Sequence, residues 1–350
     1  MKNKLILTAI AATALAIAPT VKADLQPVGI WNGKVGMSID AVGSNNSPAG
    51  MIQAQIPVGA SIKAAYLYSA GTPYPWYANS PKTLTDYNSS GITLAGNAVT
   101  FDALVGASAI PNRPDIGNWF TARADVTSIV TSLAAGGGNF SWAVNEGTKN
   151  SFIDGEVLAI VYEHSSLATG SVVFLDGGLN TAGETSSVNF ANPLGNVSDP
   201  NFVADMSLAI SFSTGGSQSS QVDINGTRLT SSAGGYDDGI LSDGGLITAG
   251  GIGDSNANPG SAFSTGSSSY DDELYSLKPF LSAGDTSFSI YSKNPSNDDN
   301  LFFMGLRISA EISQVNDTPA PGVPDSGSTV ALLGLAAGGM AFLRRRFARA

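Results

Sequence analysis

His164 is the only histidine in 350 residues, and there is no cysteine. A Ser-His-Asp triad would have to use His164. No Gly-x-Ser-x-Gly elbow supplies its serine. His164 follows the apolar run that ends at Tyr162–Glu163 and reads as a strand-end histidine satisfied by local partners. A zinc site draws on several His or Cys ligands, which this chain does not have. Carboxylates are the remaining chemistry. Asp237–Asp238 with Asp243, Asp271–Asp272–Glu273 and Asp298–Asp299 sit in stretches rich in Gly, Ser and Asn. Calcium takes several oxygen ligands from carboxylates and carbonyls in such loops, although none of these segments has EF-hand spacing. They read either as solvated acidic loops or as a structural calcium site. Asp271, Asp272, Glu273, Asp298 and Asp299 are the better calcium ligands, because both groups flank expected strands. Glycoside hydrolysis needs only two carboxylates about 5–10 Å apart, and no motif singles out such a pair.

Aromatic residues offer a second kind of site. Tyr74, Trp76 and Tyr77, spaced by Pro73 and Pro75, lie in an expected loop, Thr72–Tyr87. They read as a glycan-contact platform or as a cap on one end of the core. Trp31 and Trp119 are less clearly exposed.

The elements that would position these groups are strands. Met51–Val58 and Ser61–Tyr68 alternate apolar and polar residues, as half-buried strands do. Ile92, Leu94, Val99 and Phe101 flank Gly96–Asn97 as a hairpin within Gly91–Val105. Asn139–Val144 is a further strand. Glu156–Tyr162 and Ser171–Leu175 are short continuous apolar runs, expected to be central strands buried on both faces. Met206–Ser213 and Gln221–Leu229 follow, the latter with Asn225–Gly226, a strong type I′ hairpin signal. Thr286–Tyr291 and Leu301–Ile312 close the body. Val126, Ile129, Val130 and Leu133 fall at helical spacing after Asp125 and before Gly136, which marks one short amphipathic helix. Thr214–Ser220 and Ser231–Ser269 are Gly/Ser/Asn/Asp-rich loops, the second too long for a simple hairpin. About a dozen strands in two packed sheets are expected. The fold class is therefore all-β, a jelly-roll-like β-sandwich with one short helix, flanked by an N-terminal signal helix and a C-terminal sorting helix. Residues 24–314 form the body, as one large sandwich or two fused ones, and residues 315–322 a Pro-containing linker.

Both ends of the chain carry addresses. Lys2 and Lys4 precede an apolar run, Leu5–Ala18, and then Val21–Lys22–Ala23, a small-residue cleavage site. This is the layout of a secretory signal peptide cut by signal peptidase after Ala23. At the other end, Val323, Pro324, Asp325, Ser326 and Gly327 precede an apolar stretch, Thr329–Leu343, and then Arg344, Arg345 and Arg346. That stretch is shorter than the roughly 20 residues of a simple spanning helix. The arginines would hold the chain end on the cytoplasmic side of a membrane.

This tail resembles the PEP-CTERM class of bacterial sorting signals, in the variant whose motif reads Val-Pro-Asp-Ser-Gly, and all five positions match. The resemblance implies processing by an exosortase at the inner membrane of a Gram-negative bacterium. It also implies delivery to the cell surface or an exopolysaccharide matrix. Ala64–Tyr68, Asp125–Val130, Glu156–Glu163 and Ser171–Gly177 look loosely like stretches of uncharacterised β-sandwich modules of bacterial surface proteins.

Seven of the 17 basic residues and one of the 28 acidic residues lie in the targeting ends, which leaves the body with 10 and 27 and a net charge of −17. Nucleic acid needs clustered Lys and Arg and is not an expected partner. A strongly acidic surface fits a secreted protein that stays soluble or collects divalent cations. The expectation is an exported structural or adhesive protein of the envelope or matrix, without catalysis. A carbohydrate-binding matrix protein is the second reading. A polysaccharide-active enzyme with a carboxylate pair is the third.

Overall fold

Two strands explain the architecture. Ile153–Glu163 is buried at every residue but the last, and Gly170–Asp176 is buried throughout. Strands that are apolar on both faces must be covered on both faces. The computed structural model describes residues 25–43, 49–71, 83–109, 118–148, 153–178, 183–213, 220–233, 246–256, 273–294 and 300–318. It covers these strands by stacking four antiparallel sheets.

In chain order the first ten strands are β1 (Gln26–Gly33), β2 (Val35–Gly43), β3 (Ala49–Ile56), β4 (Ser61–Gly71), β5 (Thr93–Leu94), β6 (Asn97–Ala98), β7 (Ala103–Ala109), β8 (Asn118–Asp125), β9 (Gly138–Asn145) and β10 (Ile153–Glu163). Two helices fall among them, α1 (Leu84–Ser90) and α2 (Thr127–Leu133). The rest are β11 (Gly170–Asp176), β12 (Glu184–Phe190), β13 (Ala204–Ser213), β14 (Ser220–Ile224), β15 (Thr227–Ala233), β16 (Leu246–Ala249), β17 (Leu274–Ser276), β18 (Ser287–Lys293), β19 (Asn300–Ile308) and β20 (Ile312–Thr318).

Outer sheet I runs β15-β14-β18-β12-β20, and inner sheet II runs β1-β11-β19-β13-β16 with β17 on β13. Inner sheet III runs β2-β10-β4-β8-β7, and outer sheet IV runs β3-β9-β5-β6. Three apolar layers separate them. Val173, Leu175, Leu208 and Leu306 of sheet II meet Val188, Ile224, Phe288 and Ile290 of sheet I. Leu67, Leu158 and Ile160 of sheet III meet Ile52, Ala54 and Val144 of sheet IV, where Val126 and Val130 of α2 also pack. The middle layer, the seam, joins Tyr68, Val157, Ala159 and Val161 of sheet III to Val172, Phe174, Phe302 and Phe303 of sheet II. A bulge in β19 leaves Phe302 unpaired between Ile210↔Leu301 and Ala209↔Phe303, so two successive phenylalanines turn toward the seam. The seam is tight. A Cβ on Gly251 would lie 2.0 Å from the Ile39 carbonyl oxygen, and one on Gly155 2.7 Å from Ile247 Cγ1.

The chain interleaves the two sandwiches. β1 pairs with β11 in sheet II, the chain then builds sheets III and IV from β2 to β10, and it returns to complete sheets I and II. Entry and exit meet at one place. The Leu25 N–H donates to Glu184 Oε1 at 3.0 Å, and Thr318 pairs with the adjacent Thr185. This end of the body is called the root end below. The Gly33↔Gly170 pair marks the opposite, free end, about 25 Å away for an eight-residue strand.

Several expectations from sequence need correction. There are four packed sheets rather than two, because sheets II and III are each apolar on both faces. There are two α-helices among the described residues rather than one. α1 falls in the segment read as a loop, with Thr83 as N-cap, a capping box to Asp86 and Gly91 in the left-handed conformation as C-cap. The closing run Leu301–Ile312 is two strands, β19 and the start of β20, which lie in different sheets. Residues 315–318, assigned to the linker from sequence, are part of β20, where Val188 pairs with Val315. The hairpin at 93–98 turns on Ala95 (φ 49) and Gly96 (φ 77), one residue earlier than expected. The signal segment and the sorting helix lie outside the described residues, in 1–24 and 319–350.

Candidate functional site

Charged groups are scarce inside this body, and besides Asp40, Glu184 and Glu273 those that are buried among the described residues form two groups. At the seam, Asp176 at the end of β11 accepts a hydrogen bond from the Tyr68 hydroxyl at 3.1 Å and an ion pair from Arg123 at 2.5 Å. Tyr68 and Arg123 stand side by side on β4 and β8. Arg123 also lies over the Tyr66 ring, 5.5 Å from its centroid, in cation–π geometry. Burial raises the Asp176 carboxyl despite the opposing Arg123 charge, and it raises the Tyr68 phenol well above its usual range. The neutral phenol therefore remains a donor. This network ties sheet III to sheet II across an otherwise apolar layer.

The second group is acidic. Glu146, Asp154 and Glu156 are each at most 2% exposed. Glu156 accepts from the Ser69 hydroxyl at 2.9 Å. Burial pushes the Glu156 carboxyl up to about 7, against the opposing pull of its contacts with Ser69 and Glu146. Asp154 is the bulge residue between Ile153 and Gly155 of β10. Tyr87 of α1 is fully buried, and its hydroxyl is raised by burial and then by the charges of Asp154 and Glu156. Glu146 and Glu156, at 1% exposure each, are closed to a polymeric substrate.

Open surface appears at the free end. A crevice of about 540 Å³ is lined by Lys34, Ser165, Ser166, Asn201, Arg307 and Ser309, among others. It lies where the start of β2, the β10–β11 loop, the β12–β13 loop and the end of β19 converge. A smaller cavity of about 280 Å³, lined by Gln55, Tyr162, Asp205, Gly251 and Asp254, shares Arg307 as a wall. His164 fastens the β10–β11 loop. Its Nδ1 pairs with Ser166 Oγ at 2.7 Å and its Nε2 with the Val58 carbonyl at 3.1 Å. Both ring nitrogens are thus engaged, as a neutral imidazole that accepts at Nδ1 and donates at Nε2 would be.

Of the site residues singled out from sequence, the structure describes Glu273, His164 and Trp31, the last half-buried edge-on against Phe174. Glu273 is fully buried and accepts from the Tyr275 hydroxyl at 2.8 Å. Asp237, Asp238, Asp243, Asp271, Asp272, Asp298, Asp299, Tyr74, Trp76, Tyr77, Ala23, Val323–Gly327 and Arg344–Arg346 lie outside the described residues. Among the described residues, no group of three or more His, Asp or Glu is placed to hold a metal ion. No described helix is long and apolar enough to cross a membrane, and Thr329–Leu343 is not among the described residues. Sequence reading missed the Tyr68–Arg123–Asp176 network, the Glu146–Glu156 pair and the Lys34–Arg307 crevice. A signal for two of them existed: Glu156 and Arg307 are charges inside runs that otherwise read as strands.

Residues 322–347 match the VPDSG-CTERM motif. The match takes in the Val323–Gly327 motif, the apolar stretch and the arginines. It supports a PEP-CTERM-like sorting tail and points to an exported, surface-associated protein. No curated protein matches the chain. No solved structure matches it either.

Proposed function

We propose that this protein is a non-catalytic structural or adhesive component of the envelope or exopolysaccharide matrix of a Gram-negative bacterium. Signal peptidase releases it after Ala23, and an exosortase processes the tail while Thr329–Leu343 is held at the inner membrane. The observation that carries this reading is the VPDSG-CTERM match at residues 322–347. The body is consistent with the role. Its chain enters at Leu25 and leaves beyond Thr318 at one end, next to Glu184 and Thr185. A body attached through that root would present its free end to the surroundings.

The test is made in the bacterium that produces the protein. The full chain is compared with a chain ending at Gly322 and with one in which Arg344, Arg345 and Arg346 are replaced by Gln. The expected result is retention of the full chain on cells or matrix and loss of both variants to soluble fractions. The same distribution for all three would refute sorting by the tail.

A second reading, carbohydrate binding in the matrix, is favoured by the crevice at the free end. Saturable binding to the producer's own exopolysaccharide, with and without calcium, tests it directly.

A further inference from the structure

We propose that the free-end crevice binds the carboxylate of an acidic sugar, with Arg307 and Lys34 as its cationic contacts. This deepens the carbohydrate-binding reading and rests on it.

The first observation is the state of Arg307. Of the described arginines, Arg123 pairs with Asp176 and Arg228 with Asp223. Arg307 makes no hydrogen bond or ion pair among the described residues, although it is only half exposed and forms a wall of both cavities. Its cross-strand neighbour Asp205 feels the Arg307 charge without pairing to it, and accepts from Asn256 at 2.7 Å. A guanidinium offers five donors in a planar fork that matches a carboxylate. Here that fork belongs to a residue lining both cavities.

The second observation is the company it keeps. The body has 10 basic residues, and three of them meet in this corner. Lys34 is exposed on the crevice wall and donates to the Ser165 carbonyl at 2.8 Å. Lys278 donates to the Asp199 carbonyl at 3.1 Å, beside the lining residues Pro200 and Asn201. Both ammonium groups have donors to spare.

The third observation is the remaining lining. Ser166, Asn201 and Ser309 offer hydroxyl and amide groups, while Val35, Leu167 and Pro200 offer aliphatic surface. This mixture suits a pyranose ring, which has hydroxyls at its rim and C–H groups on its faces. The volume lies within the range of about 300–1,000 Å³ usual for small-molecule pockets.

Net charge narrows the ligand further. A body at −17 repels a dense polyanion such as nucleic acid. A polysaccharide with one carboxylate per sugar or per repeat can place a single charge in the crevice and keep the others away. The crevice also sits at the Gly33–Gly170 end, remote from the root where the sorting tail leaves. A matrix polymer would meet it there.

The test is calorimetric titration of the exported protein with hexuronate oligosaccharides, a neutral glucose oligosaccharide and inorganic phosphate. Saturable binding of the hexuronate alone is expected. Arg307→Gln and Lys34→Gln should each weaken it by about tenfold, the scale of a lost hydrogen bond to a charged group. Lys293→Gln, on outer sheet I, should leave it unchanged. Lys34 is exposed, so its variant retains the fold, and the melting temperature checks this for Arg307→Gln. No saturable hexuronate binding, binding unchanged in both crevice variants, or equal binding of phosphate would overturn the proposal. Equal binding of the neutral glucose oligosaccharide would overturn the carboxylate contact and leave the carbohydrate-binding reading standing, whereas binding of neither oligosaccharide would overturn both.

Discussion

Glu156→Gln should stabilise the protein above neutral pH. Glu156 is 1% exposed on β10, and its carboxyl is lifted from 4.5 to about 7, chiefly by burial. Between those values the folded chain keeps a proton that the unfolded chain releases. The contribution of this group is therefore intact below about pH 4.5, declines as pH rises, and is lost above about 7. At about 1.36 kcal/mol per pH unit, the loss amounts to roughly 3 kcal/mol at pH 8. Glutamine keeps the shape and hydrogen-bonding capacity of the neutral acid but cannot ionise. Urea unfolding followed by tryptophan fluorescence at pH 4.5, 6 and 8 measures the difference. The variant should match the parent at pH 4.5 and exceed it by up to about 3 kcal/mol at pH 8. Glu146 adjoins Glu156, so the titration midpoint belongs to the pair. A parent more stable than the variant at pH 8 would refute the reasoning. It would mean that the buried anion is stabilised by a partner, and a bound cation would be the first to test.

Four further outcomes follow from the fold. Arg123→Met strands Asp176 in the seam and should cost about 3 kcal/mol, while adding Asp176→Leu should recover most of it, as urea midpoints would show. Phe303→Ala removes a fully buried ring from the seam and should cost about 3–5 kcal/mol. Because one seam joins both sandwiches, the parent should unfold in a single calorimetric transition, and two transitions in the parent would show independent sandwiches. Gly226→Ala, at φ 74 in the β14–β15 turn, should lower stability by about 1 kcal/mol.

Local signals in the sequence were read well where neighbours along the chain decide the outcome. Asn225–Gly226 makes the expected turn, with φ of 51 and 74. Asp125 Oδ1 accepts from the Thr127 N–H at 2.9 Å just before α2, but the N-cap itself is Val126, which makes no side-chain cap bond, so the expected Asp125 cap is displaced by one residue. The missed helix α1 carried its own signal, Thr83 three residues before Asp86. It was obscured by the Pro- and Tyr-rich stretch before it. Asn88 was equally legible only afterwards: its amide brackets Phe101, accepting from the N–H at 2.7 Å and donating to the carbonyl at 3.0 Å.

By itself, the sequence determined the C-terminal sorting motif, the β class and the central place of Glu156–Tyr162 and Ser171–Leu175. Each is a matter of local composition or of period two along one segment. Only the tertiary structure decided that the sheets number four, that β1 crosses to the later sandwich, and that entry and exit share one end. Only it brought Asp176 to Tyr68 and Arg123, Glu146 to Glu156, and Lys34 to Arg307. These pairs are separated by 10 to 273 positions in the chain. Their meeting depends on which apolar faces bury each other, and an apolar run records that it needs a partner without recording which one.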